Sequence, residues 1–188
     1  LVFSYFLLQI LQLLLLVVLL FLQSLIQRQF HHLVRTVPET GQIIYPDAVP
    51  AIEAVMAEGC WSEQSRLNTT TGWRVGECEP DGRAFTVYFN QQAIGRVDWP
   101  LCGQHNVMNG LAAIAASVHA GVPPRFAVEG LRSFRSVSRR LEVKGQVGHI
   151  TVYDDFAHHP TAIASTLKGL RNKVCLLYTS PSPRDNTT

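Results

Sequence analysis

Three short constellations in this chain carry residue types that do chemistry. The first, Gly103-Gln104-His105-Asn106-Val107-Met108-Asn109, heads an alanine-rich stretch. Residues 105 and 109 stand one helical turn apart and 106 and 109 three residues apart, so a helix here presents them on a shared rim. Asparagine pairs an acceptor with two donors, the pattern that reads an adenine edge through N6 and N7. Capping of the helix start is its ordinary alternative. The second, Ser138-Arg139-Arg140-Leu141-Glu142, puts Arg140 on the polar face of an expected strand. Its planar donor fork suits a phosphate, and a solvated Arg-x-Glu pair is the ordinary outcome. The third, Tyr153-Asp154-Asp155-Phe156-Ala157-His158-His159-Pro160, sets two carboxylates where a strand ends and two histidines where a helix begins. Open α/β sheets hold ligands in that crevice, and an aspartate there can accept from ribose hydroxyls. Two Asp with two His also raise a transition metal, as in a zinc hydrolase. Adjacent His158 and His159 point apart, however, and no third spaced ligand follows, so no residue is assigned to a metal.

What is absent narrows the chemistry further. Neither Gly-x-x-x-x-Gly-Lys-Ser/Thr nor Gly-x-Gly-x-x-Gly occurs, so the chain has no glycine loop of its own for β- and γ-phosphates. A net charge of +2 gives no basic footprint for nucleic acid. Cys60, Cys78, Cys102 and Cys175 are widely spaced, which fits neither a disulfide framework nor a structural zinc site. His31 and His32 stand among apolar neighbours and read as structural.

The elements that must position these groups follow from periodicity. Ile26 to Val34 has helical spacing, closed by Pro38 and Gly41. Ile43 to Tyr45 is a short strand, and Ala51 to Ala57 a short helix with Gly59 past its end. Strands are expected at 73–75, 84–89 and 92–99, around the turn Pro80-Asp81-Gly82. Phe85, Val87 and Phe89 alternate with Thr86 and Tyr88, as in a half-buried strand. Helices are expected over 107–120 and from Pro123 or Pro124 to about Phe134. Strands near 140–144 and 149–155, a helix from Pro160 to about Leu170 and a third strand from Lys173 to Tyr178 make an α/β unit that starts near Ser138.

The two ends differ from the middle. No charge occurs before Arg28, and Ile10 to Leu22 is apolar except for Gln12. A helix of ~26 residues at ~1.5 Å per residue reaches ~39 Å, enough for a hydrocarbon core of ~30 Å. Residues 1–26 therefore read either as a membrane-crossing segment or as a low-complexity stretch translated in a shifted frame. A secretory signal peptide fits poorly, since there is no basic start and no small-residue cleavage site. Residues 175–188, with Pro181 and Pro183 in a Ser/Thr-rich run, read as a disordered or artefactual tail.

In this order the constellations resemble the Mur ligase family. The stretches that carry the likeness are Gln29 to Pro38 (QFHHLVRTVP), Val97 to Leu101, Gly103 to Asn109, Ser138 to Val143 and Thr151 to Ala162. They cover about 26–174. The resemblance implies an α/β fold in which 27–137 is the end of the family's central ATPase domain and 138–174 the start of its Rossmann-like C-terminal domain. It implies ATP-dependent amide formation through an acyl phosphate, with ATP and Mg2+ as cofactors, in the cytoplasm. The implied partners are UDP-N-acetylmuramate and the cell-wall peptide L-alanyl-γ-D-glutamyl-meso-diaminopimelate, with L-alanine as the alternative amine. A membrane-anchored, non-catalytic binding module is a further alternative, and it requires residues 1–26 to be inserted.

Carried over by position, Asn106 and Asn109 match the family's adenine-side asparagines, with His105 beside them. Arg140 matches the arginine that reaches the ATP phosphates, and Asp155 the aspartate at the ribose end. The family's phosphate loop, its magnesium-binding residues and its UDP-sugar domain have no counterpart in this sequence. The expectation is therefore a part of a longer ligase, inactive by itself, that keeps the adenine and ribose end of the site.

Overall fold

The computed structural model describes residues 2–174, with side chains from residue 12 onward. Its contacts divide the chain into two units, Leu1–Arg66 and Leu67–Thr188.

The first unit begins with α1 (Val2–Val34). Sequence reading ends one apolar element near residue 26 and starts another, whereas the structure has one helix. The reason is local: Arg28, Gln29 and the two histidines contain no helix breaker, and the chain turns only before Pro38. Strand β1 (Gln42–Pro46), helix α2 (Pro50–Ala57) and strand β2 (Glu63–Leu67) follow, with β1 and β2 paired. Pro50 opens α2, and Gly59 takes the positive φ of 128° expected just beyond its end. Val34, Tyr45, Val55 and Met56 form the core of this unit, flanked by Ile43, Ile52 and Cys60. Tyr45 keeps its hydroxyl satisfied by donating to Gln64 Oε1 at 2.7 Å and accepting from Arg66 Nε at 3.0 Å. His31 is structural, as its setting suggests: Nε2 lies 3.0 Å from Gly59 O and Nδ1 3.3 Å from Glu58.

The second unit starts with an antiparallel meander of β3 (Trp73–Cys78), β4 (Ala84–Phe89) and β5 (Gln92–Asp98). Val75 pairs with Val87, and Phe85 with Val97. Asn90 and Gln91 close the β4–β5 hairpin with φ of 47° and 68°, the left-handed pair a two-residue turn demands. On the core face Phe85 and Val87 are fully buried, while Phe89, at the turn, is exposed. Helix α3 (Gln104–His119) lays Val107, Leu111, Ile114 and Ala115 against the same core. Each of the larger side chains there contributes about 1.5–3 kcal/mol by burial. Gly110 is required on this helix, because a Cβ there would meet the Trp99 ring at 2.8 Å. Trp99 donates its indole N–H to Gly82 O at 2.9 Å and packs edge-on to Phe85. Helix α4 (Pro124–Arg132) covers β5 through Val128, which closes on Gly95.

Strands β6 (Glu142–Val147) and β7 (Ile150–Asp154) then form an antiparallel hairpin, followed by α5 (Pro160–Lys173). Arg140 is not on a strand, contrary to the expectation from its neighbours. Arg139 and Leu141 both have positive φ, 60° and 47°, which bends the chain before β6 begins. Strand β2 has no counterpart among the expected elements. The expected third strand lies outside the described residues from Cys175 on, and Lys173 itself ends α5.

Candidate functional site

All five residues singled out from the sequence line one cleft of the second unit. The cleft has a volume of about 760 Å³ and is bounded by His105, Asn106 and Asn109 on α3, Arg140 and Leu141 on the following turn, and Asp155 after β7. Phe134, Val137 and Ala113 supply apolar walls. That volume lies within the range of small-molecule and cofactor pockets.

Helix α3 positions the first group. Gly103 begins it with φ 96°, a conformation that favours glycine, and no side chain caps its start. Asn106 does not cap the helix with its side-chain oxygen. It donates instead from Nδ2 to Cys102 O at 2.8 Å, which leaves Oδ1 as an acceptor on a residue that lines the cleft. His105 is held by Ser165 of α5, whose Oγ is 3.0 Å from Nδ1. Burial of the ring lowers the His105 pKa; Asp155 pulls it up and Arg140 pushes it down. Both charges from the far side of the cleft are thus felt at α3.

Asp155 is anchored rather than free. Its Oδ2 accepts the Leu141 N–H at 2.9 Å and its Oδ1 the Ala157 N–H at 2.7 Å. An ionised carboxylate has about four acceptor positions, so about two remain for hydroxyl donors. Arg140 makes no ion pair among the described residues. Its neighbours are paired: Arg139 lies 3.6 Å from Asp154, and Lys144 2.9 Å from Glu142 and 3.9 Å from Asp154. Asp154, the other half of the acidic pair, is therefore a partner for cations and no part of the cleft lining. Ser165 of α5 was missed, since only its proximity to His105 in three dimensions reveals it; Glu142, read as a solvated partner of Arg140, instead takes the Arg139 amide and Lys144.

His158 and His159 do not converge with the carboxylates. His158 Nδ1 lies 3.0 Å from Phe156 O, and His159 precedes α5. No group of three His, Cys, Asp or Glu side chains suited to a metal occurs among the described residues. The polar lining of the cleft includes amide, imidazole, carboxylate and guanidinium groups, with Asp155 and Glu142 as its carboxylates.

Comparisons with known proteins bear on the family of the chain. Residues 139–181 match the Mur ligase glutamate ligase domain. The chain is 46% identical over 165 residues to the UDP-N-acetylmuramate–L-alanyl-gamma-D-glutamyl-meso-2,6-diaminoheptandioate ligase of Escherichia coli, covering 86% of this chain and 36% of that protein. It is 33% identical over 153 residues to a UDP-N-acetylmuramate–L-alanine ligase of Anaeromyxobacter dehalogenans, covering 78% of this chain and 32% of that one. The chain thus spans about a third of the length of the curated relatives it matches. The crystal structure of a murein peptide ligase from Psychrobacter arcticus superposes with a TM-score of 0.65 at 42% identity, over 80% of this chain and 32% of that one. The fold and the sequence together place this chain in the Mur ligase family.

Proposed function

We propose that this chain is the part of an ATP-dependent amide ligase that carries the adenosine end of the nucleotide site, with 27–137 ending the central domain and 138–174 starting the C-terminal one. The single observation that supports the reading most is the gathering of His105, Asn106, Asn109, Arg140 and Asp155 around one cleft. Asn106 and Asn109 face the base, Asp155 accepts from the ribose, and Arg140 meets a phosphate. His105 lines the base side under the hold of Ser165. ATP supplies the phosphoryl group that activates a carboxylate for attack by an amine. Magnesium and the β- and γ-phosphates need groups that the described residues do not provide.

The substrates of this reading are UDP-N-acetylmuramate and L-alanyl-γ-D-glutamyl-meso-diaminopimelate, in the cytoplasm. The similarity to the Escherichia coli relative supports it. A chimera of that relative carrying residues 26–174 of this chain tests it. Ligation of the tripeptide to UDP-N-acetylmuramate is the expected result. A folded chimera that uses L-alanine instead would favour the alternative amine, and a folded, inactive one would count against both.

A second reading, attachment to a lipid bilayer through α1, is favoured by one observation. The span Gln12–Val34 is long and apolar enough to cross a membrane, with a mean hydropathy of 1.8 and none of its most apolar window buried. The apolar residues from Leu13 to Leu22 are all exposed.

A further inference from the structure

The turn that carries Arg140 is built from residues that disfavour its shape. Arg139 and Leu141 have φ of 60° and 47°, although neither is glycine. Left-handed backbone at a residue with a long side chain is costly and persists only where surrounding contacts hold it. Four contacts do so here. The Arg139 N–H donates to Glu142 Oε2 at 2.9 Å, and Ser138 Oγ–H donates to the same oxygen at 3.2 Å. The Leu141 N–H donates to Asp155 Oδ2 at 2.9 Å. The Phe156 N–H donates to Arg139 O at 2.8 Å. Glu142 also uses its other oxygen, Oε1, to bind Lys144 Nζ at 2.9 Å. One carboxylate therefore fixes the backbone on one side of Arg140 and neutralises a neighbouring cation on the other.

Asp154 completes the sorting of charge. It lies within ion-pair distance of Arg139 and Lys144, and Arg140 is left without such a partner among the described residues. Three cations stand within a few residues of one another; Arg139 and Lys144 are held in ion pairs, and of the three only Arg140 lines the cleft.

We propose that Glu142 is a positioning residue: it holds the left-handed turn at 139–141 and draws Lys144 aside, so that Arg140 is the cation presented to an anionic phosphate in the cleft. This rests on the reading of the cleft as a nucleotide site and adds to it the residue that aims the arginine. A carboxylate beside an arginine would ordinarily be expected to pair with it and weaken its hold on a phosphate. Here the backbone amide and Lys144 occupy the carboxylate instead.

The test compares binding of ADP and adenosine by the full chain, followed by NMR or calorimetry. One charge-assisted arginine–phosphate contact corresponds to a preference for ADP of about tenfold or more. Arg140→Ala defines the complete loss of that preference. Glu142→Gln is expected to reduce the preference to the Arg140→Ala level, with adenosine affinity held within about twofold. The double variant should lose nothing more. Glu142→Asp keeps the charge but is one methylene short of the Arg139 amide and Lys144 together, and it should lose most of the preference too. Adding Leu141→Gly, which relieves the strained φ, should restore part of it in the Glu142→Gln background. Full ADP preference in folded Glu142→Gln or Glu142→Asp overturns the positioning role alone. Equal affinity of the parent chain for ADP and adenosine overturns the phosphate contact of Arg140, and the role of Glu142 with it. No adenosine binding at all overturns the nucleotide reading of the cleft.

Discussion

Ser165 Oγ lies 3.0 Å from His105 Nδ1, a hydrogen bond between residues 60 apart in the chain that ties α5 to the first turn of α3. Two further contacts fasten the same helix. Asn172 Nδ2–H donates to Pro80 O at 2.8 Å, and Gly169 passes against the backbone of Cys102 and Gly103. The cleft is thus lined, at Thr166 and Lys173, by a helix seated on Gly103 through its own Gly169.

That seat is the first point to test. A Cβ at position 169 would stand 2.9 Å from Gly103 Cα and 3.2 Å from its nitrogen, and backbone atoms cannot rotate out of the way. Gly169→Ala is expected to lower stability by about 1–3 kcal/mol through overpacking, against which the better helix propensity of alanine offsets up to ~1 kcal/mol. Ser165→Ala should cost less, about 0.5–1.5 kcal/mol at most. Urea denaturation of both variants provides the comparison, and an alanine at 169 without effect would show that α5 does not rest on Gly103.

Acid should uncover the hold of Glu142. Its hydrogen bond to Lys144, the largest influence, and that from the Arg139 amide lower its pKa from 4.5 to about 2. A folded-state value below the unfolded one contributes stability that is complete above about 4.5 and is lost as the pH falls toward 2. The melting temperature should therefore drop across that window with a shallower slope in Glu142→Gln. Identical slopes would mean that the carboxylate is not held.

His105 acts in a different window with its own sign. Burial lowers its pKa in the folded chain, while an unfolded histidine takes up a proton near ~6.5. Between those values the unfolded chain binds more protons, so stability falls as the pH drops below about 6.5 and is level above it. His105→Gln is expected to flatten this part of a pH–stability profile. A profile unchanged by the substitution would contradict a desolvated imidazole.

The core of the second unit depends on Trp99. Trp99→Phe keeps much of the contact with Phe85 but leaves the buried Gly82 carbonyl without its donor at 2.9 Å. A loss of about 1–3 kcal/mol is expected, whereas Phe85→Ala, at a fully buried position, should cost about 3–5 kcal/mol. Denaturant midpoints with unchanged slopes would measure both, and a neutral Trp99→Phe would place the indole outside the core.

Membrane attachment through α1 is tested by flotation with lipid vesicles. The full chain should rise with the vesicles, and Val18→Arg, near the middle of the apolar run, should weaken insertion by about 2.5–3.5 kcal/mol. A detergent-free, monodisperse chain that stays at the bottom of the gradient would rule the attachment out.

Much of the cleft could be read from sequence because its members sit on strongly patterned elements. The apolar spacing of Val107, Leu111, Ile114 and Ala115 announces α3 and so fixes the rim that His105, Asn106 and Asn109 share. Strand β4 is equally legible from Phe85 and Val87. Strand β2 is not, because Glu63 to Arg66 offers no apolar alternation and its strand state comes from pairing with β1. The turn at Arg140 is hidden for another reason. Positive φ is usually announced by glycine or asparagine, and here arginine and leucine adopt it under contacts with Asp155, Phe156 and Glu142. Of these, the bonds to Asp155 and Phe156 are long-range and leave no local mark.

The bond from Asn106 to the Cys102 carbonyl has a last consequence, for the choice of base. With one Nδ2 hydrogen committed at 2.8 Å, the side-chain amide cannot flip without setting two oxygens against each other. Its Oδ1 therefore stays an acceptor, on a residue that lines the cleft. A purine with an amino group at C6 meets it donor to acceptor, whereas a 6-oxo purine would place oxygen against oxygen. If the proposed site holds a base at Asn106, a backbone carbonyl one turn away would favour adenine over guanine and hypoxanthine without touching the base.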